Sequence, residues 1–424
     1  MICCERERNV YMDLKRQNYF SGAPMELVDG YSRMVQTGPF LFCGGTTSVQ
    51  PDGSMVAEGD SYGQVKYVLE KLIKIIEKAG GTKEDVYSVK IYATPKFDVK
   101  EGLLAYSEFF KDVKPLLNCI TIQKLTRPAQ LVEIEMNAIA GCSKGLKWEG
   151  ISMERTNYLS GLSIEEEVGY SRMVKIGPFI YLGGLSSELL DGTVYGKDDA
   201  CIQSKYIYRK QFQWLAKAGA APEDIVKVKK YITEKNMRTW RNSKDLEDLP
   251  RKSAVFSSAI VEKLRHPDAM VQTEIFAIEG CGKNKIRESW GNIDFRKEPG
   301  KTQNHGWADI VKTGPFLYGG TMRSLDEEGV VVGIGDSERQ ESYVVKSFTD
   351  LMNEMGFKPE EMVKFKAYYT ADFDSLYGET ETPFYERIYK PVKPLYTGVY
   401  VSRVGTKSEI FEMEMMAVKG CANE

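Results

Sequence analysis

The chain has 424 residues with 57 Lys and Arg against 60 Asp and Glu, a net charge of −3, and it is 42% hydrophobic and 28% charged. That length exceeds one hydrophobic core and predicts roughly two to four domains; no apolar run approaches the ~20 residues that cross a bilayer. The mixed signs lack the basic surplus that phosphate neutralisation needs, so neither a membrane nor a nucleic acid is the expected partner. The charged start, Met1 to Arg8, does not resemble a secretory leader. The eight cysteines lack a dense framework spacing and predict reduced thiols, hence a cytoplasmic protein.

In chain order, Tyr31–Val35 and Phe40–Cys43 read as strands, and Gln50-Pro51-Asp52-Gly53 as a turn. Val65, Val68, Leu69, Leu72, Ile73 and Ile76 recur at helical spacing, and Gly80-Gly81 supplies the stop. A strand is predicted over Val86–Tyr92, a second helix over Gly102–Phe110, and strands over Ile120–Leu125 and Val132–Ala138. In the last of these, Val132 and Ile134 alternate with Glu133 and Glu135, so the carboxylates share one face.

The same elements recur. Gly30-Tyr31-Ser32-Arg33-Met34-Val35, Gly38-Pro39-Phe40 and Gly44-Gly45 return as Gly169 to Val174, Gly177-Pro178-Phe179 and Gly183-Gly184. A more divergent third set runs Gly306 to Val311, Gly314-Pro315-Phe316 and Gly319-Gly320, and each set closes on Gly-Cys at 141–142, 280–281 and 420–421. Three tandem α+β domains are therefore expected, at 1–146, 147–285 and 286–424. A sheet with helices on one side must cover its other side, and three copies can do so around a pseudo-threefold axis.

These motifs, with Gln64 opening the first helix, Ala79-Gly80 ending it and the Val-Glu-Ile-Glu final strand, resemble the Rid/YjgF family of reactive-intermediate deaminases over nearly the whole chain, three times. The resemblance implies a chorismate-mutase-like fold and an intramolecular pseudo-trimer with a central β-barrel, helices outside and a cleft between neighbouring copies. As a whole the molecule would be a monomeric pseudo-trimer or a higher homo-oligomer of it. The resemblance further implies a small-molecule ligand, no cofactor and no metal. In that family an arginine binds the substrate carboxylate and a glutamate on the last strand orients water. Here the arginine position holds Leu117, Phe256 and Tyr396, none able to bind a carboxylate, and the strand-end serine is Gly44. Standard deamination of 2-imino acids is therefore not expected.

The glutamate position holds Glu133 and Glu412, the candidate catalytic bases, with Gln272 in the second copy; two residues on, Glu135 and Glu414 are candidate catalytic partners and Glu274 a candidate ligand-binding residue. Neighbouring carboxylates can separate their pKa values for acid–base work, although a solvated strand face would carry the same pattern. Tyr31, Tyr170 and Trp307 match the cleft aromatic, and Arg33 and Arg172 are candidate carboxylate clamps or, alternatively, salt-bridge partners. Cys119 lies at a position near the cleft, as an active or an inert thiol, and His305 is a candidate acid or base in the divergent copy. Cys142, Cys281 and Cys421 share one position and read as strand-end packing rather than metal ligands. The expected activity is hydrolysis or proton transfer at a C–N or enamine centre. Non-catalytic metabolite binding and RNA cleavage are the alternatives.

Overall fold

The computed structural model describes residues 14–233, 249–283, 294–300, 306–374 and 384–422; His305 lies outside the described residues. Three sheets carry the architecture. The first contains β1 (Arg16–Tyr19), β2 (Met34–Thr37), β3 (Phe40–Thr46), β4 (Val86–Ala93), β5 (Leu116–Thr121) and β6 (Val132–Ile139), ordered 1-2-3-6-4-5. The second, β7 (Arg155–Tyr158), β8 (Met173–Ile176), β9 (Phe179–Leu185), β10 (Ile225–Thr233), β11 (Val255–Val261) and β12 (Val271–Ile278), repeats that order as 7-8-9-12-10-11. The third, β13 (Lys297–Pro299), β14 (Ile310–Thr313), β15 (Phe316–Arg323), β16 (Met362–Tyr369), β17 (Leu395–Tyr400) and β18 (Phe411–Val418), repeats it again as 13-14-15-18-16-17.

One long helix covers the outer face of each sheet: α1 (Ser61–Lys78), α3 (Ala200–Lys217) and α4 (Ser337–Glu354); α2 (Val99–Phe110) packs beside α1. Asp60, Asp199 and Asp336 cap the long helices by accepting backbone N–H bonds. One turn in, Gln64 is fully buried and spans to the last strand: its Nε2 donates to Ala129 O at 2.9 Å and its Oε1 accepts from Leu131 N at 2.9 Å. Gln203 and Gln340 make the same pair of bonds, to Asp268 and Met270 and to Ser408 and Ile410. A buried amide with both ends satisfied fixes helix against strand in each unit.

The inner faces meet on an axis. Phe40, Phe179 and Phe316 pack edge to face at 5.2–5.8 Å between ring centroids, each ring touching the other two. Such aromatic contacts add about 0.5–1.5 kcal/mol per pair beyond area burial. Cys142, Cys281 and Cys421 are buried in the surrounding core, and each Sγ lies 3.4–3.6 Å from the carbonyl of Asp85, Asp224 or Glu361.

The expected barrel is not closed. The strands form three main sheets, linked around a ring by the parallel bridges Leu116↔Ser171, Val255↔Ala308 and Leu395↔Ser32 and, further along, by the short strand Lys263–Leu264 pairing with Ile120 and Thr121 of the first sheet and by the antiparallel bridges Lys124↔Tyr400 and Ile260↔Arg403. The chain passes through left-handed conformations at Lys114 (φ 50°) and Lys393 (φ 53°) just before two of these bridges. There Ser171 and Ser32 hydroxyls donate to the Lys114 and Lys393 carbonyls at 2.7 Å, taking acceptors that a longer ladder could use. Two further differences concern register. The fifth strand of the first sheet starts at Leu116 rather than Ile120, because it runs parallel to β4 from Ser88 onward. Gly320, not Gly319, is the counterpart of Gly44, since Gly44 and Gly320 N–H both donate across the hairpin, to Arg33 O and Asp309 O; Thr321 thus takes the place of Gly45.

Candidate functional site

The edge of each sheet meets its neighbour beside the glutamate position of the last strand. Between the first and third sheets, Gly45 N–H donates to Thr397 Oγ1 at 2.9 Å, and Thr397 Oγ1 donates to Glu135 Oε1 at 2.8 Å. Glu133 Oε1 fills the space that a Cβ on Gly45 would need, with Thr397 Cγ2 on the same spot, so only glycine fits there with the carboxyl in this position. No hydrogen bond to the Glu133 carboxyl is present among the described residues. Burial, reinforced by the charge of Glu135 and opposed by Arg33, pushes Glu133 up to about 8.

The clamp candidates are engaged within their own units. Arg33 Nε donates to Glu26 at 2.9 Å and Nη1 donates to Gly45 O at 2.6 Å; Arg172 Nε donates to Glu165 at 2.5 Å. Both arginines lie against the ring of the tyrosine two residues before, Tyr31 at 5.4 Å and Tyr170 at 5.2 Å. Arg33 thereby lies beside the cleft with its fork tied to backbone and Glu26, acting on Glu133 as a nearby charge.

The cleft between the second and first sheets is bridged by amides. Gln272 Nε2 donates to Asn118 Oδ1, and Asn118 Nδ2 donates to Glu274 Oε1. Cys119 nearby is buried, and burial, opposed by Arg265, pushes its thiol up to about 12; it is therefore no thiolate at neutral pH. Arg265 pairs with Glu188 and acts electrostatically on Tyr170 as well.

Between the third and second sheets, Trp307 stacks on Phe256 at 5.0 Å and 26°, filling the space where an arginine would reach a substrate. Burial, opposed by Lys229 and Arg323, pushes Glu412 up to about 8. Arg323 Nε donates to Glu409 at 2.7 Å and lies in the space beside Gly405. Back at the junction of the third and first sheets, where Glu133 lies, Tyr396 is held by Tyr369 through a hydroxyl contact and lies edge to face with Tyr385 at 5.2 Å.

Glu135, Glu274 and Glu414 therefore do not partner Glu133 and Glu412 in the clefts. They point to the axis and take lysines from the next sheet: Lys364 and Lys366 reach Glu135 at 2.6 and 2.7 Å, Lys90 reaches Glu274 at 2.7 Å, and Lys227 and Lys229 both reach Glu414 at 2.5 Å. Arg265 and Arg323, which approach the clefts, escaped the sequence reading because they occupy non-equivalent positions. Arg265 corresponds to Thr126 in the first unit and Arg323 to Thr47, so neither appears in the repeat.

Helix-covered sheets joined edge to edge, with a protonatable carboxyl buried at two of the junctions, define an α+β protein built of repeated sheet-and-helix units. The family model described as endoribonuclease L-PSP matches residues 23–140. A RutC family protein of Pyrococcus abyssi is 33% identical over 110 residues, 26% of this chain and 84% of that protein. Its counterpart in Pyrococcus horikoshii is 31% identical over 105 residues, 25% of this chain and 82% of the relative. Among solved structures, a member of the YjgF/YER057c/UK114 family from Mycobacterium tuberculosis is 29% identical, with TM-score 0.26, over 30% of this chain and 100% of that one. The chain belongs to the Rid/YjgF family, to which the RutC proteins also belong. No helix among the described residues is long and apolar enough to cross a membrane.

Proposed function

We propose that residues 1–146, 147–285 and 286–424 are three tandem Rid-like domains forming an intramolecular pseudo-trimer, and that the chain is an enzyme acting on a small C–N or enamine substrate in the cleft at Glu133. The shared strand order, the three inter-sheet bridges and the repeated glutamine clamp support the first part. The observation that carries the second is the Glu133 carboxyl, buried beside Gly45 and Thr397 and pushed up to about 8. A carboxyl poised near neutrality can give and take a proton at a carbon or nitrogen of the bound molecule, or direct a water. Arg33, close by and positive, would stabilise the ionised form once the proton has left. Leu117, Phe256 and Tyr396 at the arginine position argue for substrates without a carboxylate.

The clefts are unequal. The amide bridge at Gln272 and the Trp307–Phe256 stack favour a structural role for the other two, with Glu412, beside Arg323 and Lys229, as a second protonatable carboxyl. The test is turnover of a panel of neutral imines, enamines and cyclic amides by wild type, Glu133→Gln and Glu412→Gln, with RNA as a further substrate. Loss of a general acid–base residue lowers rate by about 10²–10⁴-fold, expected here for Glu133→Gln alone. Saturable binding without turnover would replace the enzyme by a metabolite-binding protein, and cleavage of RNA by wild type but not Glu133→Gln would replace the substrate class.

A further inference from the structure

A cavity of about 230 Å³, partly open to solvent, lies on the axis, with Asn118 of the amide-bridged junction in its wall. Its floor is the trio Phe40, Phe179 and Phe316, and its walls include Tyr87, Tyr181 and Tyr318, with Tyr87 and Tyr181 stacked at 4.3 Å. Its other end is the ring of lysines and glutamates described above. Inspection of that ring shows an imbalance. Lys90, Lys229 and Lys366 occupy equivalent positions opposite Glu274, Glu414 and Glu135, one cation for each carboxylate. Lys227 and Lys364 are additional, and the first sheet has Ser88 at their position. Five lysines thus surround three glutamates in the lining. The nearest other carboxyls, Glu133 and Glu412, are pushed up to about 8 and so hold their protons at neutral pH.

With all five lysines protonated the ring would carry two positive charges in excess, which a low-dielectric space disfavours. The lysines register this: burial and then the charge of Lys90 push Lys366 well below its usual range, and burial lowers Lys229 against the pull of Glu414. An entering dianion would balance the ring with all five lysines protonated, sharing Lys227 and Lys364 with Glu414 and Glu135. The far half of the cavity is aromatic and apolar, which suits a flat body better than a compact hydrated ion. An engineered cavity of about 150 Å³ already holds a benzene ring.

We propose that this axial cavity is a binding site for a compact planar dicarboxylate, its two carboxylates on Lys227 and Lys364 and its ring among Tyr87, Tyr181 and Tyr318. Lys227 and Lys364 are 21% and 17% exposed, so the ligand enters from the lysine end, which is partly open to solvent.

The test uses the full chain, refolded and dialysed in the presence of isophthalate, isophthalamide or inorganic phosphate, followed by quantitation of retained ligand and thermal unfolding. One isophthalate per chain, with no isophthalamide retained and phosphate bound at least tenfold more weakly, is expected. The double variant Lys227→Ser/Lys364→Ser, which copies Ser88 twice and leaves one lysine per glutamate, should fold and lose isophthalate affinity by at least tenfold. Equal retention of isophthalate and isophthalamide, equal binding of phosphate, no retention after refolding, or undiminished binding by a folded double variant would each overturn the proposal. The wild-type comparison of the three compounds decides the matter even if the variant does not fold.

Discussion

Replacing Glu133 by Gln should change how stability depends on pH more than it changes stability at any one acidic pH. A carboxyl ordinarily at 4.5 is raised to about 8 in the folded chain. Between those values the folded state keeps a proton that the unfolded state has released, so stability falls as pH rises through this window and levels off above it. One fully shifted group contributes about 1.4 kcal/mol per pH unit. From pH 5 to 7.5 that amounts to about 3 kcal/mol for Glu133, to the order of magnitude, and Glu412, also raised to about 8, adds a similar amount. Glutamine mimics the protonated carboxyl in shape and cannot ionise. Urea-unfolding midpoints of wild type, Glu133→Gln and the double variant with Glu412→Gln, taken at half-unit steps across pH 5 to 8, give the slopes, and differences between proteins cancel the other titrating groups. The expected result is a stepwise flattening, with the variants gaining relative to wild type as pH rises. Parallel slopes for all three would show that Glu133 is ionised in the folded chain, and the acid–base reading of the cleft would fall with it.

Gly45→Ala should displace the Glu133 carboxyl and press on Thr397, lowering turnover or ligand affinity in that cleft by about tenfold or more while leaving the circular-dichroism spectrum native; unchanged activity would separate Glu133 from the chemistry. Trp307→Ala removes a buried ring stacked on Phe256 and should cost about 3–5 kcal/mol in chemical denaturation, with new dye or ligand binding at the opened junction. Glu165→Ala strips the buried Arg172 of its main partner and should destabilise by about 3–5 kcal/mol, whereas the exposed Lys346–Asp350 pair should yield less than about 1 kcal/mol when broken. Phe40→Ala, at the trio on the axis, should cost about 3–5 kcal/mol in the same assay, and its effect should not simply add to that of Phe179→Ala.

What the residues revealed in advance was local. The spacing from Val65 to Ile76 marked the helix, and the Val-Glu alternation put Glu133 and Glu135 on one strand face, as the structure has them. Alternation fixes a face but not a depth along the axis, and depth depends on how three sheets pack. Glu133 ends at a sheet junction, whereas Glu135, two residues on, ends among lysines of another sheet. Lys90, Lys229 and Lys366 drew no reading from the sequence, because their meaning needed partners 184 to 231 residues away. Arg265 and Arg323 stayed hidden for the opposite reason, since each occurs in one unit only. The short strand at Arg16 and the helix at Pro24 have too few residues for a periodic signal.

The ring of charges also acts as a code for the order of assembly. An all-first-unit trimer would place Lys90 against Glu135 with Ser88 beside it, a balanced axis. A trimer of second units alone would bring Lys227 and Lys229 against each Glu274, and one of third units Lys364 and Lys366 against each Glu414, leaving a surplus ammonium at every junction. Such self-assembly of the later units is penalised by like-charge repulsion in a dry interior. Covalent linkage to the first unit, with its serine, spreads the same total surplus evenly, two lysines to each axis, where trimers of the second or third unit alone would carry three.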